Sequence, residues 1–174
     1  MTDGYAVTTV PQIARAARVA VPTVYTSTGG KADILAALLA PIVTDGSAAQ
    51  TVAEVATVED PAEVIRLLGE GTWRTHERHW DIIVGLFPQA RSEPAAADTH
   101  ERIMLAYQAA VGVVADRLAE LGALRPGVDR DHAHDVLWFY LGQGAWPALV
   151  RDRGWSLDKA RDWLTAAAAT ELLG

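Results

Sequence analysis

The stretch from Val10 to Lys31 reads VPQIARAARVAVPTVYTSTGGK and has the spacing of a helix-turn-helix. Thr9 and Gln12 stand at the N-cap and N3 positions of a capping box, so the sequence predicts a helix that begins directly after Thr9. Residues 18–20 leave room only for a turn. Pro22 suits the first turn of a second helix, because its missing N–H is not needed there.

The two short helices are predicted to meet through small side chains. Ile13, Ala14 and Ala17 give the first helix one apolar face. Val24 follows Ala14 by ten residues, so we expect these two side chains to touch across the turn. Such a pair leaves the second helix exposed, as a helix that enters a DNA groove must be.

The longer stretch from Gly4 to Leu35, GYAVTTVPQIARAARVAVPTVYTSTGGKADIL, resembles the DNA-binding segment of the TetR family of bacterial transcriptional regulators. The shared pattern is a Gly-Tyr pair, a Thr-initiated helix with Ile-Ala, a Thr-x-Tyr recognition helix and a lysine that opens the next helix. The resemblance implies six DNA-binding residues: Thr9, Val21, Pro22, Thr23, Tyr25 and Lys31.

Their implied roles differ. Thr9 and Lys31 match phosphate-contacting positions, and Thr23 and Tyr25 match positions that face DNA. Val21 and Pro22 would lie near base edges and could make only apolar contacts, such as with thymine methyl groups. Thr9 could instead be a helix cap and nothing more, and Tyr25 could be a buried core ring.

The stretch departs from the family pattern at three places. Arg18 stands where a turn glycine is usual, and Thr28 replaces an aromatic residue. The family places a whole helix before the Gly-Tyr pair, whereas only Met-Thr-Asp precedes Gly4 here. Two interpretations stay open: the start was assigned too late, or the DNA-reading head is truncated.

Composition limits the remaining possibilities. The chain has 174 residues, half of them hydrophobic, no cysteine and a net charge of −7, which argues against a general nucleic-acid binder. The segment 8–35 carries three basic residues and one acidic residue, so a weakly basic head precedes an acidic body. We expect no signal peptide, no membrane span and a cytoplasmic location.

The rest of the chain reads as helices. We expect a helix from Lys31 to about Val43 that joins the head to the body, and a loop near 58–61. The periodicity then predicts three helices: Pro61 to about His76, Trp80 to Arg91 with a kink at Pro88, and about Ala96 to Leu121, which Gly122 ends. We place the domain boundary at 45/46, with a helix-turn-helix domain over 1–45 and a ligand-binding and dimerisation domain over 46–174.

Asp129 opens a helix that is apolar on all sides between Val136 and Leu141, so it must be covered on all sides. Ser156 is predicted to cap a last helix. The two segments are similar to the C-terminal dimerisation region of many TetR-like regulators, which implies a four-helix interface in a homodimer. The predicted interface residues are Val136, Trp138, Phe139, Leu141, Ala145, Ala160, Trp163, Leu164 and Ala167.

Several large rings lie on segments that resemble the family's ligand-enclosing helices. We interpret them as the lining of an apolar effector pocket with polar handles, although ordinary core packing is the alternative for any one ring. The predicted pocket residues are Trp73, His76, Trp80, Ile83, Phe87, Met104, Tyr107, Val111, Gln143 and Trp146.

No catalytic constellation is recognisable, so we expect no enzyme activity, and we expect neither a cofactor nor a metal. His76 and His79 could share a helix face and bind a metal, but a solvated or pocket-edge pair is the better interpretation. The sequence therefore predicts an all-α homodimeric regulator with operator DNA and a small apolar effector as partners. We expect a repressor released by the effector; the alternative is a ligand-binding dimer whose truncated head no longer binds DNA.

Overall fold

The computed structural model describes residues 4–174; the Met1–Asp3 stub discussed above lies outside this range. Within residues 4–174 the regular structure is helical, which confirms the all-α prediction. The described residues divide into two compact units, one comprising residues 4–44 and 79–104 and the other comprising 45–78 and 105–174.

The first unit contains the helix-turn-helix. Its elements are α1 (Gly4–Val7), α2 (Val10–Ala17), α3 (Val21–Thr28), α4 (Lys31–Val43), the end of α6 (Pro61–Gly85), α7 (Phe87–Ala90) and the start of α8 (Pro94–Glu120). The second unit contains α5 (Ser47–Val55), the rest of α6 and α8, α9 (Arg130–Leu141), α10 (Ala145–Val150) and α11 (Leu157–Leu172).

Side-chain caps fix the starts of the helices that the sequence predicted. The Thr9 side chain accepts a hydrogen bond from the Gln12 N–H, and the Gln12 side chain accepts one from the Thr9 N–H, so the capping box before α2 is confirmed. The α9 helix starts after Asp129 and α11 after Ser156, each with a side-chain cap as predicted.

The first unit has two hydrophobic clusters. Val10, Ala14 and Val24 form the small core of the helix-turn-helix, with Val21 and Ile34 packed at its edge. A larger cluster joins one face of α4 to the 82–104 segment, and its buried members are Leu35, Leu39, Ile42, Ile83, Leu86, Phe87, Ala90, Ala96 and Ile103. The α4 helix is therefore held by both clusters through neighbouring positions.

Two glycines allow neighbouring helices to approach α6 closely in the second unit. A Cβ atom at Gly71 would collide with the Thr51 hydroxyl of α5, and one at Gly69 would collide with the Thr165 hydroxyl of α11. Arg117 of α8 ties down the loop before α6, since its Nε and Nη2 donate to the Val58 carbonyl at 3.1 and 3.0 Å.

The structure corrects several predicted boundaries. The α5 helix was not expected, because the residues that it buries include Ser47 and Thr51 rather than an apolar stripe. The predicted break between the helices over 61–76 and 80–91 is confirmed as a kink in α6 at His79, which has non-helical angles. The end of the second helix was predicted wrongly: α6 ends at Gly85, and Pro88 lies in the first turn of α7 instead of kinking a longer helix. The short α10 was also missed.

One stretch contradicts the expectation that no segment is apolar enough for a membrane span. Lys31–Val55 meets that criterion by length and composition alone. In the structure α4 and α5 are separated at 44–46, where Gly46 has a φ of 78°. Because α4 also contributes Leu35, Leu39 and Ile42 to a buried cluster, the stretch is weak support for a membrane location.

Candidate nucleic-acid interface and ligand cavity

The turn between α2 and α3 is built around Arg18. This residue has φ 58° and ψ 39°, a left-handed conformation, and its backbone N–H bonds to the Arg15 carbonyl. The Val19 N–H bonds back to the Ala14 carbonyl at 3.0 Å and completes the turn. A non-glycine residue here carries a strain of about 1 kcal/mol that glycine would avoid.

Most of the α3 surface is free of intramolecular packing. Pro22 and Thr23 are exposed, and Tyr25 is 53% exposed, so Tyr25 is not a buried core ring. Val24 is buried and Val21 is half-buried against the small core. The structure thus places Pro22, Thr23 and Tyr25 at the surface, while Val21 mainly anchors the helix.

Thr9 and Lys31 are both engaged within the first unit. The exposed Thr9 serves the capping box described above. The Lys31 Nζ lies 4.2 Å from the centroid of the Tyr5 ring and donates to the Ala6 carbonyl at 3.2 Å. Lys31 therefore fixes α1 to the start of α4 and leaves a positive charge beside the helix-turn-helix.

A narrow cavity of about 30 Å³ lies within the second unit. Three of the predicted pocket residues, His76, Tyr107 and Gln143, line it. The remaining lining residues are mostly small, and sequence reasoning did not select them: Ala48, Thr51, Leu68, Gly71, Thr72, Thr75 and Ala110. The signal that could have found them is the helical spacing of 68, 71, 72, 75 and 76 on one face of α6.

His76 is the most deeply placed of the cavity's polar groups. It is buried, its ring stacks on Trp146 at 4.7 Å between centroids, and its Nδ1 lies 2.9 Å from the Thr72 carbonyl. Because a carbonyl only accepts, Nδ1 must carry the proton. Burial lowers the pKa of His76 to about 4, so the ring is neutral near pH 7.

Tyr107 lies beside Thr72 and closes the cavity toward α9. Its hydroxyl donates to the Leu141 carbonyl at 2.6 Å and lies 3.3 Å from the Thr72 hydroxyl. Burial raises the pKa of Tyr107 above its ordinary value. The lining therefore offers neutral hydrogen-bonding groups and no fixed charge.

The other predicted pocket residues lie elsewhere. Ile83 and Phe87 belong to the core cluster of the first unit, and Met104 packs against it. Trp80 is half-buried in the same unit. In the second unit Val111 is fully buried, Trp146 supports His76 from behind, and the half-buried Trp73 ring has the Arg161 guanidinium 5.4 Å above it. These seven side chains do not line the cavity, whose lining beside His76, Tyr107 and Gln143 is mostly small residues.

The nine predicted interface residues divide by burial. Leu141, Ala160 and Leu164 are buried inside the second unit and are not available to a partner. Phe139 is 70% and Trp163 49% exposed, and the half-buried members are Val136, Trp138, Ala145 and Ala167. The outer faces of α9 and α11 thus expose two large rings, Phe139 edge-on to Tyr140 and Trp163 edge-on to Trp155.

The fold and these two sites define a class of architecture, an all-helical chain with a helix-turn-helix head. Residues 1–38 match the family model TetR_N, described as bacterial regulatory proteins, tetR family. The resemblance to the TetR family is thereby confirmed: the N-terminal segment carries the family's sequence pattern, and the chain has the family's fold. No curated protein sequence matches the chain significantly.

Two of the similar solved structures come from Thermus thermophilus and Bacillus subtilis. The TetR family transcriptional regulator PfmR from Thermus thermophilus matches with a TM-score of 0.72 and 22% identity over 97% of this chain and 89% of that one. The regulator FadR from Bacillus subtilis, solved with stearoyl-CoA, matches with a TM-score of 0.72 and 16% identity over 97% and 91%.

A third solved structure points the same way. The fatty acid degradation regulator FadR from Bacillus halodurans matches with a TM-score of 0.64 and 16% identity over 95% of this chain and 89% of that one. All three similar structures are of regulators.

Proposed function

We propose that this protein is a cytoplasmic, homodimeric repressor that binds operator DNA through α3 and is released by a small apolar effector. The observation that carries the DNA-binding part is the exposure of Pro22, Thr23 and Tyr25 on a helix whose buried side is anchored by Val24. Pro22 and the Tyr25 ring could have packed into a core, yet both are exposed, in a segment that matches a DNA-binding family.

In this proposal Tyr25 and Thr23 contact the DNA and Lys31 supplies a nearby positive charge. Thr9 and Lys31 bind phosphate, Thr9 through the N-terminal end of α2. Val21 positions α3 and contributes its exposed edge. Two heads on one dimer would occupy major grooves about 34–36 Å apart.

The test is binding of the full chain to duplexes selected from a random-sequence library, at a stated salt concentration. Tyr25→Phe and Thr23→Val each remove one hydroxyl, and each should weaken specific binding ~10-fold or more, because a hydrogen bond to a charged group contributes about 1.5–3 kcal/mol. Thr57→Val removes an exposed hydroxyl in the second unit and should leave affinity unchanged. A chain that enriches no sequence is not a regulator of this kind, and the ligand-binding dimer would then be the better account.

The effector is proposed to be an acyl chain or a molecule of similar apolar character. The lining supports this, because it presents aliphatic and small side chains with the neutral groups of His76, Tyr107 and Gln143 as polar handles. One similar regulator was solved with stearoyl-CoA. A cavity of about 30 Å³ is far below the roughly 300 Å³ at which ligand pockets begin, so in this proposal the second unit must open to admit the effector.

The small volume of the cavity leads to a prediction about effector affinity. An effector that requires an opened second unit must bind that form better, and it shifts the equilibrium only by this difference in affinity. Titration of the DNA complex with fatty acyl thioesters of increasing chain length should release the DNA, with longer chains acting at lower concentration. His76→Phe, which fills the site and removes the polar handle, should weaken the response; equal release by every chain length would contradict an apolar pocket.

Homodimerisation is proposed to use the outer faces of α9 and α11. Phe139 and Trp163 supply the largest exposed rings, with the half-buried Val136, Trp138, Ala145 and Ala167 around them. Phe139→Asp combined with Trp163→Asp should convert the dimer to a monomer in analytical ultracentrifugation. Leu105→Asp, at another exposed apolar position, is the matched control; a pair variant that remains dimeric would place the interface elsewhere.

A further inference from the structure

The recognition helix α3 has an unusual chemical make-up for reading bases. Its sequence is VPTVYTST, which contains no charged residue and no amide side chain. Arginine or lysine on guanine, and asparagine or glutamine on adenine, are the common bidentate contacts in the major groove. None of these four residue types is available on α3, so any sequence discrimination by this helix must use other groups.

Most hydroxyls on α3 are committed to the helix itself. Those of Thr26 and Thr28 donate to the Pro22 and Val24 carbonyls at 2.9 Å each, and that of Ser27 donates to the Thr23 carbonyl at 2.8 Å. A carbonyl cannot donate, so the hydroxyl hydrogen is used within the helix in each case. These side chains keep only their oxygen lone pairs, and the two threonines also keep their methyl groups, for an outside partner.

Helical geometry selects which of them face outward. At 100° per residue, Pro22 and Thr26 stand about 160° from the buried Val24, with Thr23 beside them at about 100°, and all three are exposed. With the Thr26 hydroxyl turned back to the Pro22 carbonyl, the outer ridge presents a proline ring and a threonine methyl group. Thr23 is the member of this ridge whose hydroxyl is not turned back onto a helix carbonyl.

We propose that α3 selects its operator through the C5-methyl groups of thymines, which Pro22 and Thr26 contact, and not through guanine. The proposal rests on the proposed DNA-binding function and names the base chemistry that this function reads. The Thr26 methyl group and the Pro22 ring are apolar, as the thymine methyl group is. The Thr26 hydroxyl hydrogen is bonded to the Pro22 carbonyl, so this hydroxyl cannot donate to the N7 and O6 acceptors of guanine.

The test substitutes bases that differ from the natural ones by one feature. Uracil lacks only the methyl group of thymine, and 7-deazaguanine lacks only the N7 acceptor of guanine. Duplexes selected by the full chain are resynthesised with each thymine or guanine replaced in turn, and affinities are measured by fluorescence anisotropy. Burying one methyl group is equivalent to ~4-fold in affinity, so a symmetric replacement in two half-sites should cost ~16-fold.

Two variants assign the effect to Thr26. Thr26→Ser keeps the hydroxyl and its bond to the Pro22 carbonyl but lacks the methyl group, so it should lose sensitivity to uracil at one thymine of each half-site. Thr26→Val keeps a methyl group at that place and lacks the hydroxyl, so it should bind and discriminate as the parent does. Circular dichroism confirms that both variants remain folded.

The outcomes separate the two proposals. Specific binding that is indifferent to uracil, or lost with 7-deazaguanine in the α3 contact region, overturns thymine-methyl selection while the regulator stands. Binding lost in Thr26→Val but kept in Thr26→Ser would show that the hydroxyl reads the base, and would also overturn it. A parent chain that selects no sequence overturns the proposed function, and thymine-methyl selection with it.

Discussion

The helix-turn-helix and the cavity contain similar residue types, but they are exposed in the first and turned inward in the second. Around α3, hydroxyl and aromatic side chains such as Thr23 and Tyr25 stand at the surface over a core of three small buried residues, Val10, Ala14 and Val24. In the second unit, Thr72, His76 and Tyr107 are turned inward against other side chains and carbonyls. The first region presents these groups to solvent, whereas the second would have to open before they could contact a ligand.

We expect the largest effect on stability from a substitution beside the cavity of the second unit. Trp146 is fully buried and stacks on His76, so Trp146→Ala should lower the free energy of unfolding by about 3–5 kcal/mol. Urea denaturation measures this loss. Tyr25→Ala, on the exposed side, should cost less than about 1 kcal/mol while it abolishes specific DNA binding. Equal destabilisation by both variants would erase the contrast between the regions.

The pH dependence of stability sharpens the same contrast. The pKa of His76 is about 4 in the folded protein and about 6.5 in the unfolded chain, so the unfolded chain takes up the proton first as pH falls. The His76 contribution is fully present above pH 6.5 and decreases as pH falls toward 4, by about 3 kcal/mol in total.

Urea denaturation between about pH 7.5 and 4.5 measures this decrease. His76→Gln should flatten the profile in this range, and His132→Gln, at an exposed position, should not. An unchanged profile in His76→Gln would mean that the ring is accessible to water in the folded protein.

Within the helix-turn-helix, we expect the capping box to make the largest single contribution to the free energy of unfolding. Thr9→Ala removes the side-chain acceptor of the Gln12 N–H and should cost about 1 kcal/mol, while Thr9→Ser should retain most of the stability. Hydrogen exchange of the α2 amides reports this loss locally. If exchange is unaffected, Thr9 is not a stabilising cap.

The smallest expected effect is a gain at the turn. Arg18→Gly removes the left-handed strain and should stabilise the protein by about 0.5–1 kcal/mol. The matched control is Arg15→Gly in the last turn of α2, which should destabilise by up to about 1 kcal/mol. Thermal unfolding distinguishes the two signs, and a loss in both variants would show that the Arg18 side chain has a role that the backbone does not explain.

The two regions also differ in how far the sequence predicts them. The start of α2 after Thr9, the turn at Arg18 and the contact of Ala14 with Val24 follow from residues within one short stretch, and the structure agrees with each. Such local signals are short-range in sequence and depend little on the rest of the fold.

Prediction from the sequence failed where buried residues are polar. The α5 helix buries Ser47, Thr51 and Val55 at four-residue spacing, and Thr51 satisfies its hydroxyl on the Ser47 carbonyl. A search for apolar periodicity does not detect a helix whose buried face is polar. Sequence reasoning also missed Gly71, Thr72 and Thr75 in the cavity lining, because their proximity to Gln143 depends on long-range packing.

The most direct test of the account is a hydroxyl-radical footprint of the full chain on its selected DNA. A two-headed regulator predicts two protected tracts on one face of the duplex, separated by about 10 bp, that disappear together in Tyr25→Ala. Two such tracts would support both the exposed α3 and the homodimer. A single tract would contradict the two-headed arrangement, and no protection at all would contradict a DNA-binding function for this chain.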